Sequence, residues 1–243
     1  MPGAMSPALN TLKAYLDLCR VSNLPTVWTN VLAAMLLATG SFMPGEYLLL
    51  AFALSCFYLA GMSFNDLCDL EHDRRHRPGR PLPSGRVTIL GARMLTLALF
   101  AGGFLALALA PRPSGLVAGL ALLAAIVAYD LRHKGNPFSV LLMAACRGLV
   151  FVVVGLALTD TLQPFLLLGA GVQFSWVVFV SLAARHEGRR GVPYPFPLVP
   201  ALIAGIALVD GLLLAVLVAP AWFAAGVVGA LLTWVGQRFV RGD

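Results

Sequence analysis

The sequence predicts an all-α integral membrane protein, and three observations support this fold class. The chain of 243 residues is 59% hydrophobic and only 12% charged, with a mean hydropathy of +0.86. A soluble fold cannot hide that much apolar surface, so a lipid bilayer must be its solvent. The apolar runs are also long and uniform, whereas the strands of a membrane barrel are ~10 residues long and alternate in polarity. We therefore expect a bundle of about eight transmembrane helices.

The positions of these helices follow from the apolar runs. A helix needs ~20 apolar residues to cross ~30 Å of hydrocarbon. The sequence offers eight such runs, near residues 22–40, 46–64, 87–110, 114–130, 138–158, 162–183, 197–218 and 220–237. Proline or glycine lies at most of the breaks, because both residues end helices readily. Residues 8–20 have amphipathic spacing and predict an interfacial helix before the first span. We predict a single domain over residues 1–243.

The basic residues predict the orientation of the bundle. If the N-terminus is cytoplasmic, all of the 17 lysines and arginines except Arg112 and Arg147 fall on or near the cytoplasmic side. The opposite orientation would violate the positive-inside rule. We therefore expect a multi-pass protein of the inner (cytoplasmic) membrane with both termini in the cytoplasm. The net charge of +6 then reflects topology, and we expect membrane lipids but no nucleic acid as partners.

An acidic cluster follows the second predicted span. Asn65, Asp66, Asp69 and Asp73 stand at positions i, i+1, i+4 and i+8, so a continuing helix would place three carboxylates on one face. Neighbouring carboxylates repel unless a cation neutralises them, and Mg²⁺ prefers oxygen ligands and bridges carboxylates to phosphates. Guanidinium groups suit phosphate oxygens, and the arginines close to the cluster are Arg74, Arg75, Arg77, Arg80 and Arg86. The segment therefore predicts a diphosphate site at the cytoplasmic face.

The alternative interpretation of this segment is a charged cytoplasmic loop. The positive-inside rule alone would account for its arginines. It does not require the spacing of the four residues from Asn65 to Asp73, so we favour the diphosphate site.

The same segment resembles the UbiA superfamily of intramembrane prenyltransferases. The resemblance is carried by N-D-x-x-D-x-x-x-D at residues 65–73, followed by Arg77 and by Arg80-Pro81-Leu82-Pro83-Ser84-Gly85. It implies a ring of eight or nine helices around a central cavity, bound magnesium, and prenyl transfer from an isoprenoid diphosphate to an acceptor. The run from Tyr129 to Lys134 is similar to the family's Y-D-x-x-x-K element, whose lysine helps to hold the diphosphate.

The chain departs from the family pattern after the sixth predicted span. Members usually carry a second acidic motif there, D-x-x-D-x-E-G-D, but Arg185 and Arg189 flank the Glu187-Gly188 pair in this chain. Either these arginines contact the diphosphate directly in place of a metal, or the chemistry has been lost. In this respect the sequence resembles the divergent UbiA-like branch found in Ebo-type gene clusters.

Several polar residues lie inside the predicted spans. Arg147 is costly in a membrane and therefore a functional candidate, and we expect it to pair with the diphosphate or with a carboxylate of the first motif. The alternative is a structural pair with another buried polar group. Asn23, Thr26 and Asn30 would either line a polar side of the cavity or form interhelical hydrogen bonds. Asp210 is expected at the periplasmic interface. Asp130 is a candidate for orienting an acceptor or capturing a proton, and the aromatic candidates for stabilising a cation are Trp28, Phe64, Phe174 and Trp176.

The function that these residues predict is Mg²⁺-dependent transfer of a prenyl group to an aromatic or lipophilic acceptor. Its alternative is a non-catalytic lipid-binding or transport protein on the same scaffold. A CDP-alcohol phosphotransferase is disfavoured because its D-G-x-x-A-R signature is absent. The predicted catalytic residues are Asp66, Asp69 and Lys134, the predicted metal ligands are Asn65, Asp66, Asp69 and Asp73, and the predicted diphosphate ligands are Asn65, Arg77, Arg80, Lys134, Arg147, Arg185 and Arg189.

Overall fold

The computed structural model describes residues 7–132, 136, 138–190, 196–240 and 242. These residues form ten α-helices and two short 3₁₀ turns, Val21–Asn23 and Pro220–Trp222, and they contain no β-strand. The helices are α1 (Pro7–Leu18), α2 (Leu24–Thr39), α3 (Pro44–Cys68), α4 (Leu70–His76), α5 (Ile89–Ala108), α6 (Ser114–Arg132), α7 (Ser139–Thr159), α8 (Pro164–Arg190), α9 (Leu198–Leu217) and α10 (Phe223–Gly236). The prediction of an all-α fold is confirmed.

Every predicted span has a helical counterpart, although the last is shorter than expected. Within the described residues, seven helices are long and apolar enough to cross a membrane, and the segment Pro220–Gly236 is a shorter apolar one. Its first residues form the 3₁₀ turn rather than a helix, which leaves only 14 residues for α10. The cytoplasmic placement of the termini stays a prediction.

Proline and glycine set the helix ends that the sequence indicated. Pro25 and Pro44 lie in the first turns of α2 and α3, where proline loses no helical hydrogen bond. Gly40 ends α2 with a φ of +70°, a left-handed conformation that glycine adopts without strain. At α5 the hydroxyl of Thr88 accepts a hydrogen bond from the Gly91 amide at 3.0 Å. These helices therefore begin and end at residues whose backbone or side chain favours a helix terminus.

Helix α2 forms much of the interior of the bundle. It is packed against α3, α7, α8, α9 and α10, and its apolar side chains join a core that includes Phe57, Phe151 and Leu214. Helices α9 and α10 approach each other so closely that a Cβ atom on Gly226 would lie 2.6 Å from the Cα atom of Gly211. Small residues permit this backbone contact between membrane helices.

Candidate functional site

The acidic motif lies at the end of α3 and continues into α4. Asn65 and Asp66 belong to the last turn of α3, Asp69 joins the two helices, and Asp73 lies in α4. Asp66, Asp69 and Asp73 are only 4%, 8% and 2% exposed. All three carboxylates are therefore buried in the interior of the protein, and their role as metal ligands stays a prediction.

Glu71, the fourth acid of this segment, faces solvent instead. Its carboxylate pairs with Arg75 at 2.9 Å and with Arg74 at 3.4 Å on the surface of α4. The hydrogen bond from Arg75, and then that from Arg74, lowers the pKa of Glu71 below its ordinary value. Glu71 is thus an ordinary surface acid and a useful contrast to its buried neighbours.

Arg80 joins two of the buried carboxylates. Its Nη1 atom donates to Asp73 Oδ2 at 2.6 Å and lies 3.4 Å from Asp66 Oδ1, and the side chain is 7% exposed. The loop that carries it folds back on itself, because the Ser84 hydroxyl and the Ser84 amide both donate to the Arg80 carbonyl. Gly85 then reverses the chain with a φ of +74°. The run from Arg80 to Gly85 therefore serves to hold one guanidinium group among the acids.

A second guanidinium comes from Arg20, which the sequence interpretation treated only as a topological charge. Its Nη2 atom donates to Asp66 Oδ1 at 3.0 Å. Its backbone adopts a left-handed conformation, with φ 47° and ψ 48°. Such conformations in non-glycine residues are strained and concentrate at functional sites. No sequence pattern indicated that conformation, although the arginine stands directly before the polar residues of α2.

The polar cluster extends to α6 through Asn65. The Nδ2 atom of Asn65 donates to Asp130 Oδ1 at 2.9 Å, and Asp130 is 5% exposed. Asp130 therefore lies beside the first motif, as its candidate role requires. Lys134, the lysine of the predicted Y-D-x-x-x-K element, lies outside the described residues.

A small cavity opens beside these charges. It has a volume of about 60 Å³, and its lining residues are Asp17, Arg20, Asp66, Gly79, Arg80, Pro81 and Arg86. Three guanidinium groups and two carboxylates therefore line the cavity. The resulting net positive charge favours the binding of an anion. Its size suits a few water molecules, so a larger ligand requires movement of the arginine side chains.

The other predicted diphosphate ligands are more dispersed. Arg77 and Arg189 are exposed at the ends of α4 and α8. Arg185 donates to the Asn136 carbonyl at 3.0 Å and to Ser139 Oγ at 2.7 Å, so it ties α8 to the start of α7. Contact of these three arginines with a diphosphate stays a prediction.

Arg147 has different partners from those expected. Its Nη1 atom donates to Asn30 Oδ1 at 2.8 Å, and its Nη2 atom lies 3.3 Å from Thr26 Oγ1. Within the described part of the chain, no carboxylate lies within 4.0 Å of this guanidinium. The expected pairing with a carboxylate of the first motif is therefore wrong, because α2 supplies neutral acceptors at that depth.

Asp210 is also placed differently. It was expected at the membrane interface, but it is 0% exposed. Its Oδ2 atom accepts hydrogen bonds from Thr29 and Asn30, each at 2.7 Å, and its Oδ1 atom accepts one from Gln173 at 2.7 Å. The expectation was wrong because α9 turns this side chain toward α2 and α8. The polar residues of α2 thus do form interhelical hydrogen bonds.

The acidic cluster is compatible with Mg²⁺ in its donor chemistry. Among the residues that the structure describes, no group of three or more His, Cys, Asp or Glu side chains is arranged to hold a metal ion. Mg²⁺ usually takes only one or two carboxylates and fills its remaining positions with water and phosphate oxygens. The Asp69 carboxylate and the Asn65 amide oxygen are of the required type. The residues therefore fit a magnesium ion that arrives with a phosphate ligand.

The fold and the site together define a helical membrane protein with a cluster of paired aspartates and arginines at one end of its bundle. The family model for the UbiA prenyltransferase family matches residues 26–243. The chain therefore belongs to the UbiA prenyltransferase family. The Ebo-type branch stays a prediction.

Curated relatives and solved structures agree with this family. The chain is similar to the digeranylgeranylglyceryl phosphate synthases of Methanoculleus marisnigri, with 33% identity over 129 residues, and of Ignicoccus hospitalis, with 36% identity over 135 residues. These matches cover 52% and 54% of this chain but only 45% and 43% of the relatives, less than half of each.

Two solved structures share the fold. A structure of digeranylgeranylglyceryl phosphate synthase superposes with a TM-score of 0.61 at 17% identity and covers 95% of both chains. A UbiA homologue from Aeropyrum pernix superposes with a TM-score of 0.57 at 18% identity, covering 90% of this chain and 96% of that one.

Proposed function

We propose that the protein transfers a prenyl group from an isoprenoid diphosphate to a lipophilic acceptor within the membrane, at a site that faces the cytoplasm. The observation that carries this proposal is the buried cluster of Asp66, Asp73, Arg20 and Arg80 at the end of α3. A charged site at the end of membrane-length helices suits a substrate with a diphosphate head and a long apolar chain. Family membership and the similarity to digeranylgeranylglyceryl phosphate synthases support the same class of reaction.

The arginines would bind the diphosphate and stabilise it as it leaves. Arg20 and Arg80 would exchange part of their pairing with the acids for hydrogen bonds to phosphate oxygens, which are strong when both groups are charged. Fixed cations of this kind stabilise the negative charge that develops on the leaving group. Lys134 is proposed to contact the same group, with Arg77, Arg185 and Arg189 as further ligands.

The reaction requires one bond to break and one to form. The bond between the first prenyl carbon and the diphosphate oxygen breaks, and the acceptor's nucleophilic atom forms a bond to that carbon and releases a proton. We assign the capture of this proton to Asp130, which lies beside Asn65 at the buried end of the site. When bound, Mg²⁺ would add positive charge to the leaving diphosphate. Asp66, Asp69 and Asp73 are its proposed carboxylate ligands, together with the Asn65 amide oxygen.

The test is binding and turnover of prenyl diphosphates by purified protein in detergent. Radiolabelled diphosphates of several chain lengths are supplied with Mg²⁺ or with EDTA, and both the bound label and the released diphosphate are measured. The variant Asp69→Asn is compared with Glu71→Gln, which removes an exposed acid two residues away. We expect magnesium-dependent binding and release that Asp69→Asn abolishes and Glu71→Gln retains.

Two other outcomes of this experiment would contradict the proposal. Absence of binding at every chain length by folded protein would overturn the proposed activity. Equal loss in Asp69→Asn and Glu71→Gln would overturn the assignment of the buried acids, because the exposed acid would then matter as much as the buried one.

A second candidate is a lipid-binding or transport protein without catalysis. The observation that favours it is Arg185, which occupies the region of the missing acidic motif and bonds to Asn136 and Ser139 of the neighbouring segment. The region around Arg185 would then join α8 to α7 and would not hold a second metal ion. Tight binding of a prenyl diphosphate without release, in the presence of several acceptors, would favour this candidate.

A further inference from the structure

Residues 20–23, here called the Arg20 turn, lie along one face of α3. The Arg20 guanidinium donates to Asp66 Oδ1 at 3.0 Å and lies 2.9 Å from Met62 Sδ. One helical turn earlier in α3, the Tyr58 hydroxyl accepts a hydrogen bond from Asn23 Nδ2 at 3.2 Å. Tyr58, Met62 and Asp66 stand at i, i+4 and i+8, so they share a face of the helix. Both ends of the Arg20 turn are therefore bonded to α3.

The chain that follows α10 contacts the same turn through Asn23. Gln237 Nε2 donates to Asn23 Oδ1 at 3.0 Å, and Asn23 Nδ2 donates to the Gly242 carbonyl at 2.8 Å. Asn23 is 4% exposed, and both ends of its side-chain amide are hydrogen-bonded. Asn23 thus joins the Arg20 turn to α3 and also to the chain beyond α10.

Arg20 has a backbone conformation that its neighbours must maintain. It is left-handed, with φ 47° and ψ 48°, and a residue with a Cβ atom keeps such a conformation only where the surrounding structure imposes it. The backbone amide of Asn23 donates to the Arg20 carbonyl at 3.1 Å, so the position of Asn23 fixes the turn directly. Loss of the contacts to the Asn23 side chain would allow Arg20 to relax. Its guanidinium would then move away from Asp66.

We infer that Gln237 and Tyr58 are positioning residues, which hold the Arg20 guanidinium at the diphosphate site through Asn23. This inference rests on the proposed prenyl transfer, in which Arg20 binds and stabilises the leaving diphosphate. Neither positioning residue needs to touch the substrate, because both act on the backbone that carries Arg20. A displacement of ~1 Å caused by a change far from the reacting atoms can cost about 100-fold in rate.

The test combines the reactivity of one thiol with the binding of a prenyl diphosphate. Cys19 directly precedes Arg20 and is 5% exposed, so its reaction with a maleimide measures opening of the Arg20 turn. The protein is prepared with Cys19 as its sole cysteine, and alanine replaces Cys56, Cys68 and Cys146. In nonionic detergent, binding of an unreactive thiolo analogue of geranylgeranyl diphosphate is then compared with binding of neutral geranylgeraniol.

The variants are Gln237→Met, Arg20→Gln and their combination. Gln237→Met keeps the length of the side chain and removes its hydrogen bond to Asn23. The matched control is Gln163→Met, because Gln163 is exposed and its amide donates to Thr161 at the surface.

The expected result separates positioning from a general loss of structure. Gln237→Met raises the rate of Cys19 modification about fivefold, since it removes one hydrogen bond that holds the turn. It weakens binding of the diphosphate analogue by a similar factor when Arg20 is present, and has no effect in Arg20→Gln, because it acts only through Arg20. Geranylgeraniol binds equally well to all variants. Gln163→Met matches the unmodified protein in every measurement.

Several outcomes overturn the inference. An unchanged rate of Cys19 modification in Gln237→Met shows that the chain beyond α10 does not hold the turn. A loss of diphosphate affinity that is equal with and without Arg20, or that extends to geranylgeraniol, removes the positioning role. If Gln237→Met does not fold, Tyr58→Phe removes the partner of Asn23 on α3, and the same pattern of results is expected of it.

Failure of the proposed function gives a different result. In that case the unmodified protein binds no prenyl diphosphate, while Gln237→Met still accelerates the modification of Cys19. That outcome would support the hold of Gln237 on the Arg20 turn and would overturn its role in diphosphate binding.

Discussion

Replacement of Arg80 by alanine tests whether one buried guanidinium holds the acidic motif together. Its Nη1 atom lies 2.6 Å from Asp73 Oδ2 and 3.4 Å from Asp66 Oδ1. Asp66 keeps a second partner in Arg20 at 3.0 Å. Among the described residues, Arg80 is the only ion-pair partner of Asp73, which is 2% exposed. The replacement therefore leaves Asp73 as a buried carboxylate without a cation.

The expected loss of stability is about 3 kcal/mol. Removal of one partner from a buried ion pair costs ~3–5 kcal/mol, and the lower figure applies because Asp66 remains paired with Arg20. For a chain of this size, each kcal/mol shifts the melting temperature by about 2–4 °C, so we expect a decrease of about 6–12 °C. The double variant Arg80→Ala with Asp73→Asn should recover part of this loss, because it removes the orphaned charge as well.

Thermal unfolding can be followed with a maleimide dye that fluoresces on reaction with thiols, in a protein whose partly exposed Cys68 and Cys146 are replaced by serine. Cys19 is 5% exposed, and burial, with a smaller contribution from Asp66, raises its pKa to about 12. This thiol therefore reacts little until the protein unfolds. The control is Arg75→Ala, which removes an arginine that is 72% exposed and should hardly change the melting temperature. If Arg80→Ala melts together with Arg75→Ala, the guanidinium does not hold the motif.

Two further predictions concern other parts of the molecule. Gly226→Val should lower the melting temperature strongly, because the new side chain would meet the Gly211 backbone at 2.6 Å. The control Gly171→Ala should not lower it, because Gly171 has open space around it. Equal melting temperatures of the two variants would contradict the close packing of α9 on α10. Burial raises the pKa of Cys19 to about 12 in the folded protein, whereas its ordinary value is 9.0. Above pH 9 the thiol therefore loses its proton in the unfolded chain but keeps it in the folded protein. The contribution of Cys19 to stability is complete below pH 9 and decreases by up to ~1.4 kcal/mol per pH unit above it. Denaturant titrations from pH 8 to 11 should show a smaller decrease for Cys19→Ala, and parallel curves would refute the shift.

The sequence predicted the acidic face and its arginine because both depend on short-range spacing. Asp66, Asp69 and Asp73 share a face by helical periodicity alone, and Arg80 follows on a loop whose proline and glycine residues force it back. Arg20 was missed as a site residue because its role depends on a left-handed backbone and on a contact with Asp66, which is 46 residues away in sequence. Neither is visible in composition or periodicity.

Depth in the membrane was easier to predict than the direction in which a side chain points. Counting apolar residues located α9, but it could not show that Asp210 turns inward to Thr29 and Gln173. The same limit applies to Arg147, whose intramembrane position was predicted while its partner was not. Hydropathy gives no information on the rotation of a helix when its apolar residues surround it on all sides. The short α10 was overestimated because Pro220 lengthened the apolar run without lengthening the helix.

The buried carboxylate of Asp210 bears on how the chain enters the membrane during synthesis. An aspartate at the centre of a helix opposes insertion by ~2.5–3.5 kcal/mol, and each Leu, Ile or Val favours it by ~0.3–0.6 kcal/mol. The many such residues of Leu198–Leu217 are enough to insert this helix despite its acid. All three hydrogen-bond donors to Asp210 precede it in the chain, so they have left the ribosome before α9 does. When α9 enters the membrane, the residues that donate hydrogen bonds to Asp210 have therefore already been synthesised. The carboxylate does not depend on a later segment of the chain for these hydrogen bonds.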